Sequence, residues 1–392
     1  MQCLIGTHRA SAQSELFRFS AAPTQWRLLI DSYSRGSMYY TNLKPAFPNH
    51  IGSLKLFGAV MTTMLVSACA EMPLEPTSAT LGTPETAGAA TGGAPTASAA
   101  MNPMQGARLF VDPATNAAKQ AAEWRKSRPT DAAQMDKIAA HAQAVWFGDW
   151  TAAPYETVRN VTSKIRSAGA LPVYVLYNIP FRDCGLHSSG GASTPAEYDR
   201  WISEVARGIG SERATVVLEP DALAGMDCLD GGRQNDRVQM ILQAVRTLKK
   251  SGTVSVYIDA GNSRWHSPEA IGANLKRVGI SEADGFALNV SNYIATDEVV
   301  KYGSAVSAQV GGKHFVVDTS RNGQGATADS QWCNPSGRGL GPKPSTNTGV
   351  PLVDAYLWIK SPGESDGECN GGPRAGSWWA DYALGLAQRS VG

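Results

Sequence analysis

The chain has 392 residues, 18% of them charged, and a formal net charge of +1. That balance gives no field to draw in nucleic acid or an anionic membrane surface, so neither is an expected partner. Composition is uneven along the chain, and the length divides accordingly.

Residues 1–69 read as a dispensable upstream segment followed by an export signal. Residues 1–37 fit no leader, and Met38 is a candidate start. From Ile51 to Ala68 the chain is apolar with one charge, Lys55, near its beginning, and it ends Val66-Ser67-Ala68-Cys69. A basic flank, a short apolar run and small residues before a break describe a secretory signal better than a membrane span. The same box suits a lipid anchor on Cys69, with plain cleavage near Ala68 or Ala70 as the alternative. The product is therefore expected to be secreted or attached to the cell surface. Residues 70–103 are mostly Ala, Thr, Pro, Gly and Ser. Such a stretch cannot bury enough apolar surface to offset its ordering entropy and reads as a linker. Residues 104–392 remain as one domain, expected to be a monomer and long enough for a large core.

Seven short runs in that domain read as strands: Ala144 to Gly148, Leu171 to Tyr177, Ala214 to Glu219, Val254 to Asp259, Gly285 to Val290, His314 to Asp318, and Asp354 to Lys360. They are apolar at nearly every position, as strands buried on both faces are. Helical spacing lies between them, at Tyr198, Ile202, Val205 and Ile209, and at Val238, Ile241, Leu242, Val245 and Leu248. Pro195 and Pro268 fit first-turn positions. Strand and helix in alternation mean an α/β fold with parallel strands, and seven strands predict a distorted (β/α) barrel, closed or nearly so. A doubly wound sheet competes, but no G-x-G-x-x-G opens a helix and no phosphate-binding loop is present. No cofactor is expected.

A barrel places its chemistry at the carboxyl ends of its strands. Asp183, Asp221, Asp259, Asp318 and Asp366 all lie at or beyond such ends, and the intervening loops carry Trp, Tyr and Asn. Gathered carboxylates without a metal motif suit acid/base work on a neutral polar substrate. His187 and His266 stand alone, without the spacing of a zinc helix, so no metal is expected; magnesium held by the aspartates is the competing reading. Of six cysteines, Cys3 and Cys69 precede the domain, and no C-x-x-C occurs. In an exported domain the other four favour two disulfides. Three pairings are open; nearest-neighbour pairing, Cys184 with Cys228 and Cys333 with Cys369, is preferred, each stabilising by about 3–4 kcal/mol in the loop-entropy model.

Seven ordered blocks carry a resemblance. They are VLYNIPFRDCGLHSSGG (175–191), TVVLEPDALA (215–224), YIDAGNSRWHS (257–267), NVSNY (289–293), DTSRNGQG (318–325), WCNPSGRGLG (332–341) and LWIKSPGESDGEC (357–369). Together they resemble glycoside hydrolase family 6, the inverting cellulases, over about residues 104–392. The resemblance implies hydrolysis of internal β-1,4-glucosidic bonds in cellulose or a related β-glucan, with inversion. A cellobiose-releasing exo enzyme and a non-catalytic β-glucan-binding barrel are the alternatives. The short Gly-Glu-Cys segment after Asp366 favours an open cleft.

The resemblance also implies roles. Asp221 matches the general acid, Asp183 the carboxylate that keeps it protonated, and Asp366 the proposed base. Asp259 and Tyr177 match residues shaping the site of the distorted sugar. Trp146, Trp265, Trp332 and Trp358 fall where tryptophans line or support glucose subsites; Arg182, Asn289, Asn292, Lys360 and Glu364 fall at polar substrate-binding positions. Asn262 stands where many relatives carry His. The chemistry fits: one protonated carboxyl serves the leaving oxygen and one base serves water, about 6.5–9.5 Å apart in an inverting enzyme, and a neighbouring carboxylate such as Asp183 tunes the acid upward. Each residue also has a plainer reading. Asp221 could cap a helix, Asp183 could pair with Arg182, Asp366 could serve a turn before Gly367, and Asp259 and Asp318 could be structural acceptors. Trp378 and Trp379 read as core of the last helix.

Overall fold

The computed structural model describes residues 101–391. The export signal, Cys69 and all but the last residues of the 70–103 linker lie outside the described residues.

Seven strands form one sheet in chain order, each parallel to the next: β1 Val145–Gly148, β2 Val173–Tyr177, β3 Ala214–Leu218, β4 Val254–Asp259, β5 Gly285–Leu288, β6 His314–Asp318 and β7 Val353–Leu357. Helices return the chain between them: α3 Pro154–Ser167, α4 Pro195–Ile209, α5 Gly231–Lys249, α6 Pro268–Arg277 and α7 Thr296–Gln309. Pro195 and Pro268 open α4 and α6, with Thr194 and Ser267 capping through their hydroxyls. The sheet curls into a half-barrel. Among the described residues no ladder closes it; its edges meet through Ala144 N–H donating to Trp358 O at 3.0 Å and Trp146 Nε1–H donating to Ile359 O at 2.8 Å.

Alternation along the strands explains the unbroken apolar runs. Tyr174, Leu176, Val216 and Leu218 point outward into the layer shared with α4 and α5. Val175, Val217, Tyr257, Ala287, Val316 and Ala355 fill the interior of the curl. Both faces of the sheet are covered, so the strands are apolar at most positions, with buried polar residues such as Thr215, Ser255 and Asp354 as exceptions. Two helices ahead of the first strand, α1 Asn116–Trp124 and α2 Pro129–Ala139, were not singled out by the sequence; they pack with the last helix, α8 Ala380–Gln388, around Met135, Ile138, Leu386 and Trp358.

Strand ends differ from expectation where function-bearing loops begin. β3 stops at Leu218 because Glu219 turns to φ +50°, and β5 stops at Leu288 because Asn289 turns to φ +68°. β7 stops at Leu357 because the next amides leave the ladder: Ile359 and Lys360 donate to the Asp318 carboxylate at 3.3 and 3.0 Å. Trp378 and Trp379 precede α8 rather than lying within it.

Candidate active site

The β3 exit is built to hold Asp221 in one position. Glu219 and Asp221 flank Pro220 with φ of +50° and +66°, a left-handed conformation costly for any residue with a Cβ. Buried partners hold it there. The Glu219 carboxylate accepts from Asn178 N–H at 3.0 Å and Ile179 N–H at 3.1 Å, which ties the β3 exit to that of β2. Asp259, ending β4, accepts the Asp221 N–H at 2.9 Å and the Gly261 N–H at 3.1 Å. Arg237, buried on α5, donates to Ala222 O, Pro180 O and Phe181 O at 3.2, 2.7 and 3.0 Å. Asp221 caps no helix: α5 is capped by Asp230, and the short 3-10 turn 224–228 has Leu223 at its N-cap.

The Asp221 carboxyl instead lines a hollow with Tyr177, Asp183, Trp265, Trp332 and Asp366. Burial raises it well above the ordinary carboxyl range, reinforced by the charges of Asp259, Asp183 and Asp366 in that order. Burial likewise pushes Asp259 up to about 7, against the two amides it accepts. The sequence pointed to Asp183 as the tuning neighbour; Asp259 acts ahead of it because it is fully buried and bonded to the Asp221 backbone. Glu219 too is pushed to about 7 by burial.

Asp183 sits on the loop after β2, at φ +56°, accepting the Ser188 N–H at 2.6 Å. Burial raises its carboxyl, with that amide working the other way. Arg182 does not pair with it. Its buried guanidinium donates to Tyr177 O at 2.7 Å, Ser188 O at 2.8 Å and Asp149 at 3.1 Å, and covers the Tyr177 ring. Arg182, expected at a substrate-binding position, holds this loop together and also lines the hollow adjoining the Asp221 groove. Next to it Cys184 is joined to Cys228 with Cα atoms 6.0 Å apart, which ties the loop after β2 to the one after β3.

Asp366 is nearly buried and heavily bonded. Arg321 Nη1 lies 3.0 Å away, Tyr293 Oη–H donates at 3.0 Å and Asn334 N–H at 3.0 Å; Lys360 Nζ stands 3.9 Å off. Burial opposes the Arg321 charge, but Asp366 together with Tyr293 and Tyr382 outweighs it and raises the guanidinium. The Cys333–Cys369 bridge, Cα atoms 6.2 Å apart, closes the loop that carries Asp366. Gly367, at φ +152°, faces His187, where a Cβ would come within 2.5 Å of that side chain; so the β7 loop rests on the β2 loop.

Other expected residues separate into two groups. Trp146, Tyr177, Asn262, Trp265, Asn292, Trp332 and Lys360 line the Asp221 hollow, and Glu364 lines the adjoining one. Trp265 and Trp332 are 43% and 45% exposed, which leaves indole faces open to a ligand. Asn289 does not face the groove: it is fully buried, donating to Ile294 O and Asp318 O at 3.3 and 2.9 Å. Asp318 is a staple, accepting amides of Ser291, Ser320, Ile359 and Lys360. Trp358 is core, its Nε1–H on Pro342 O at 3.0 Å. Trp378, read as core, does pack half-buried against the cluster of Met135, Ile138 and Leu386, and its other side lines the adjoining hollow, as does exposed Trp150. His187 lies near Cys333 and Cys369, but those sulfurs are bonded to each other.

A half-barrel with a carboxylate- and indole-lined groove at the carboxyl ends of its strands defines the class, a carbohydrate-processing barrel. The model of the glycosyl hydrolases family 6 matches residues 104–390, and the chain belongs to that family. It is 46% identical over 285 residues to Endoglucanase A of Cellulomonas fimi, covering 72% of this chain and 61% of that protein's length. It is 39% identical over 287 residues to Endoglucanase 1 of Streptomyces halstedii, covering 70% of this chain and 87% of the relative. Among solved structures, the endoglucanase Cel6 of Mycobacterium tuberculosis in complex with methyl-cellobiosyl-4-deoxy-4-thio-β-D-cellobioside superposes with a TM-score of 0.70 at 46% identity, covering 74% of this chain and 99% of that one.

Proposed function

We propose that the chain hydrolyses internal β-1,4-glucosidic bonds of cellulose or a related β-glucan, with inversion at the anomeric carbon. The observation that carries this reading is the Asp221 carboxyl, raised by burial and by three neighbouring carboxylates while lining a groove with exposed indoles. A carboxyl kept protonated at the operating pH serves as general acid. Asp221 protonates the glycosidic oxygen as the bond from that oxygen to the anomeric carbon breaks. Water attacks the opposite face, and its proton passes toward Asp366. Tyr177, at the β2 exit between Trp146 and Arg182, bounds the reacting sugar. Indole faces carry the apolar faces of the glucose rings, and Lys360, Glu364 and Asn292 take the hydroxyls.

The endoglucanase names of the two bacterial relatives favour internal cleavage, and the thio-cellobioside bound to the Mycobacterium tuberculosis enzyme favours a cello-oligosaccharide as ligand. The exposed Trp265 and Trp332 fit an open cleft. The two disulfides suit an oxidising compartment. Export, attachment through Cys69 and action as a monomer belong to the same reading and rest on the sequence.

The test is carboxymethyl cellulose followed by viscosity and reducing ends together, with the anomer of the first product read by NMR. Internal cleavage drops viscosity well before reducing ends accumulate, and inversion gives the α-anomer. Cellobiose release at nearly constant viscosity would mean exo action, and no new reducing ends would end the hydrolase reading.

A further inference from the structure

Asp366 presents its two oxygens differently. Oδ2 accepts from Arg321 Nη1–H, Tyr293 Oη–H and the Asn334 N–H, each at 3.0 Å. A carboxylate oxygen has two lone-pair sites, so Oδ2 is full. Oδ1 meets the same Arg321 nitrogen at 3.0 Å and Lys360 Nζ at 3.9 Å. The backbone fixes the orientation as well, since the Asp366 N–H donates to Asn334 Oδ1 at 2.8 Å.

Behind Tyr293 stands a second buried phenol, from the last helix. Tyr382, on α8, lies 2.8 Å from Tyr293, oxygen to oxygen. The Tyr293 proton goes to the carboxylate, so the Tyr293 oxygen accepts from Tyr382. Pro335 O is a longer alternative for the Tyr382 hydroxyl at 3.3 Å. Each ring is held in place: Arg321 covers Tyr293 at 4.4 Å, and Trp379 stacks on Tyr382 with centroids 5.1 Å apart. Two hydroxyls in series toward an anion polarise one another, so the outer one strengthens the inner bond. Neither phenol lines the Asp221 hollow. The other charged and titratable groups around the cluster are Arg321, Lys360, Asp221, which feels the Asp366 charge, Glu364 beside Lys360, Arg338 near Tyr382, and His187 against Gly367. All of these stay in place in the variants below.

We propose that Tyr293, with Tyr382 behind it, is a positioning residue that commits Asp366 Oδ2 to the fold and leaves Oδ1 to take the proton of the attacking water. This rests on the reading of Asp366 as the base. In that step a water O–H bond breaks and its proton goes to Oδ1. The water oxygen bonds to the anomeric carbon, and the glycosidic oxygen leaves with the Asp221 proton. A carboxylate free to turn would offer either oxygen; with Oδ2 full, one oxygen is offered in one direction.

The protein carrying Tyr293→Phe, Tyr382→Phe or both is compared with wild type in two measurements. The first is kcat and KM on cellotetraose against pH. A base works ionised, so activity falls as pH drops through its titration, and loss of a donor to the anion moves that acid limb to higher pH. Tyr293→Phe is expected to move it up by about one pH unit, the worth of one hydrogen bond to a charged group. Its kcat falls about ten-fold, less than for loss of a base itself, with KM within about two-fold. Tyr382→Phe moves the limb the same way by less, and the double variant matches Tyr293→Phe, because Tyr382 acts through Tyr293. The second measurement is titration of the Asp366 carboxyl-carbon NMR resonance, identified by its loss in Asp366→Asn; it needs no turnover and is expected to show the same order. A limb and resonance unmoved in either single variant, or shifts that add in the double variant, overturn the proposal. Absence of wild-type turnover would count against hydrolysis, and the resonance would still decide whether the two phenols hold Asp366.

Discussion

Asp259 accepts the backbone N–H of Asp221 through Oδ1 at 2.9 Å and leaves its own Oδ2 buried without a partner. One carboxylate therefore fixes the strained backbone of the acid and, at the same time, opposes its ionisation. An unpartnered buried oxygen costs free energy, and here that cost accompanies a carboxyl held ready to donate.

Asp259→Asn keeps an acceptor for the Asp221 N–H and removes the charge. The Asp221 carboxyl is raised partly by that charge, so its pKa falls in the variant. On the proposed mechanism activity requires Asp221 protonated and is lost as pH rises through that pKa. The alkaline limb of kcat/KM against pH is therefore expected to move to lower pH. A limb that stays in place or moves up would show that burial alone sets the acid.

Asp259 and Glu219 also tie stability to pH. Both titrate near 7 in the fold, above the ordinary values of 3.8 and 4.5. A group whose pKa is raised on folding contributes stability that is full below its unfolded value and lost as pH rises through its folded value. The unfolding free energy is thus expected to decline between about pH 4 and 7 from these two groups. Asp259→Asn flattens that decline in urea titrations at successive pH values. Equal slopes in wild type and variant would contradict the burial argument.

Arg321 and Asp366 form a buried pair with side chains 0% and 6% exposed. Arg321→Ala leaves the buried carboxylate with Tyr293, Asn334 and only the more distant Lys360, 3.9 Å away, as its cation. The expected loss is about 3–5 kcal/mol of unfolding free energy, as for other broken buried pairs. A loss under about 1 kcal/mol would place the pair with surface ion pairs instead.

The sequence told most about the sheet and about which aspartates lie at its strand ends. Runs such as Val173–Tyr177 are apolar throughout because both faces are covered, and the strand ends place Asp183, Asp221 and Asp366 at the groove. It told less about which polar groups face inward. Asn289 and Asp318 carry the same residue types as ligand-binding positions. What separates them is that backbone groups beyond the strand ends need partners once buried, a need that no periodicity reveals. Arg237 is concealed in the same way, a charge on an amphipathic helix whose partners are carbonyls of two separate loops. Trp378 and Trp358 show the converse: identical residues on one core cluster, one half-buried with a side on the adjoining hollow and one fully enclosed. The Pro220 turn could have pointed to Glu219, since a glutamate directly after a buried strand needs donors.

If Asp221 supplies the proton to the leaving oxygen, its loss is felt in proportion to how much the leaving group needs that proton. In Asp221→Ala, kcat/KM on cellotetraose, whose leaving sugar needs protonation, is expected to fall at least about 100-fold, the usual contribution of a general acid. On dinitrophenyl cellobioside, whose phenolate leaves unaided, the variant is expected to keep most of its rate. Equal losses on both substrates, or more than about a tenth of the wild-type rate retained on cellotetraose, would contradict the assignment of Asp221 as the acid.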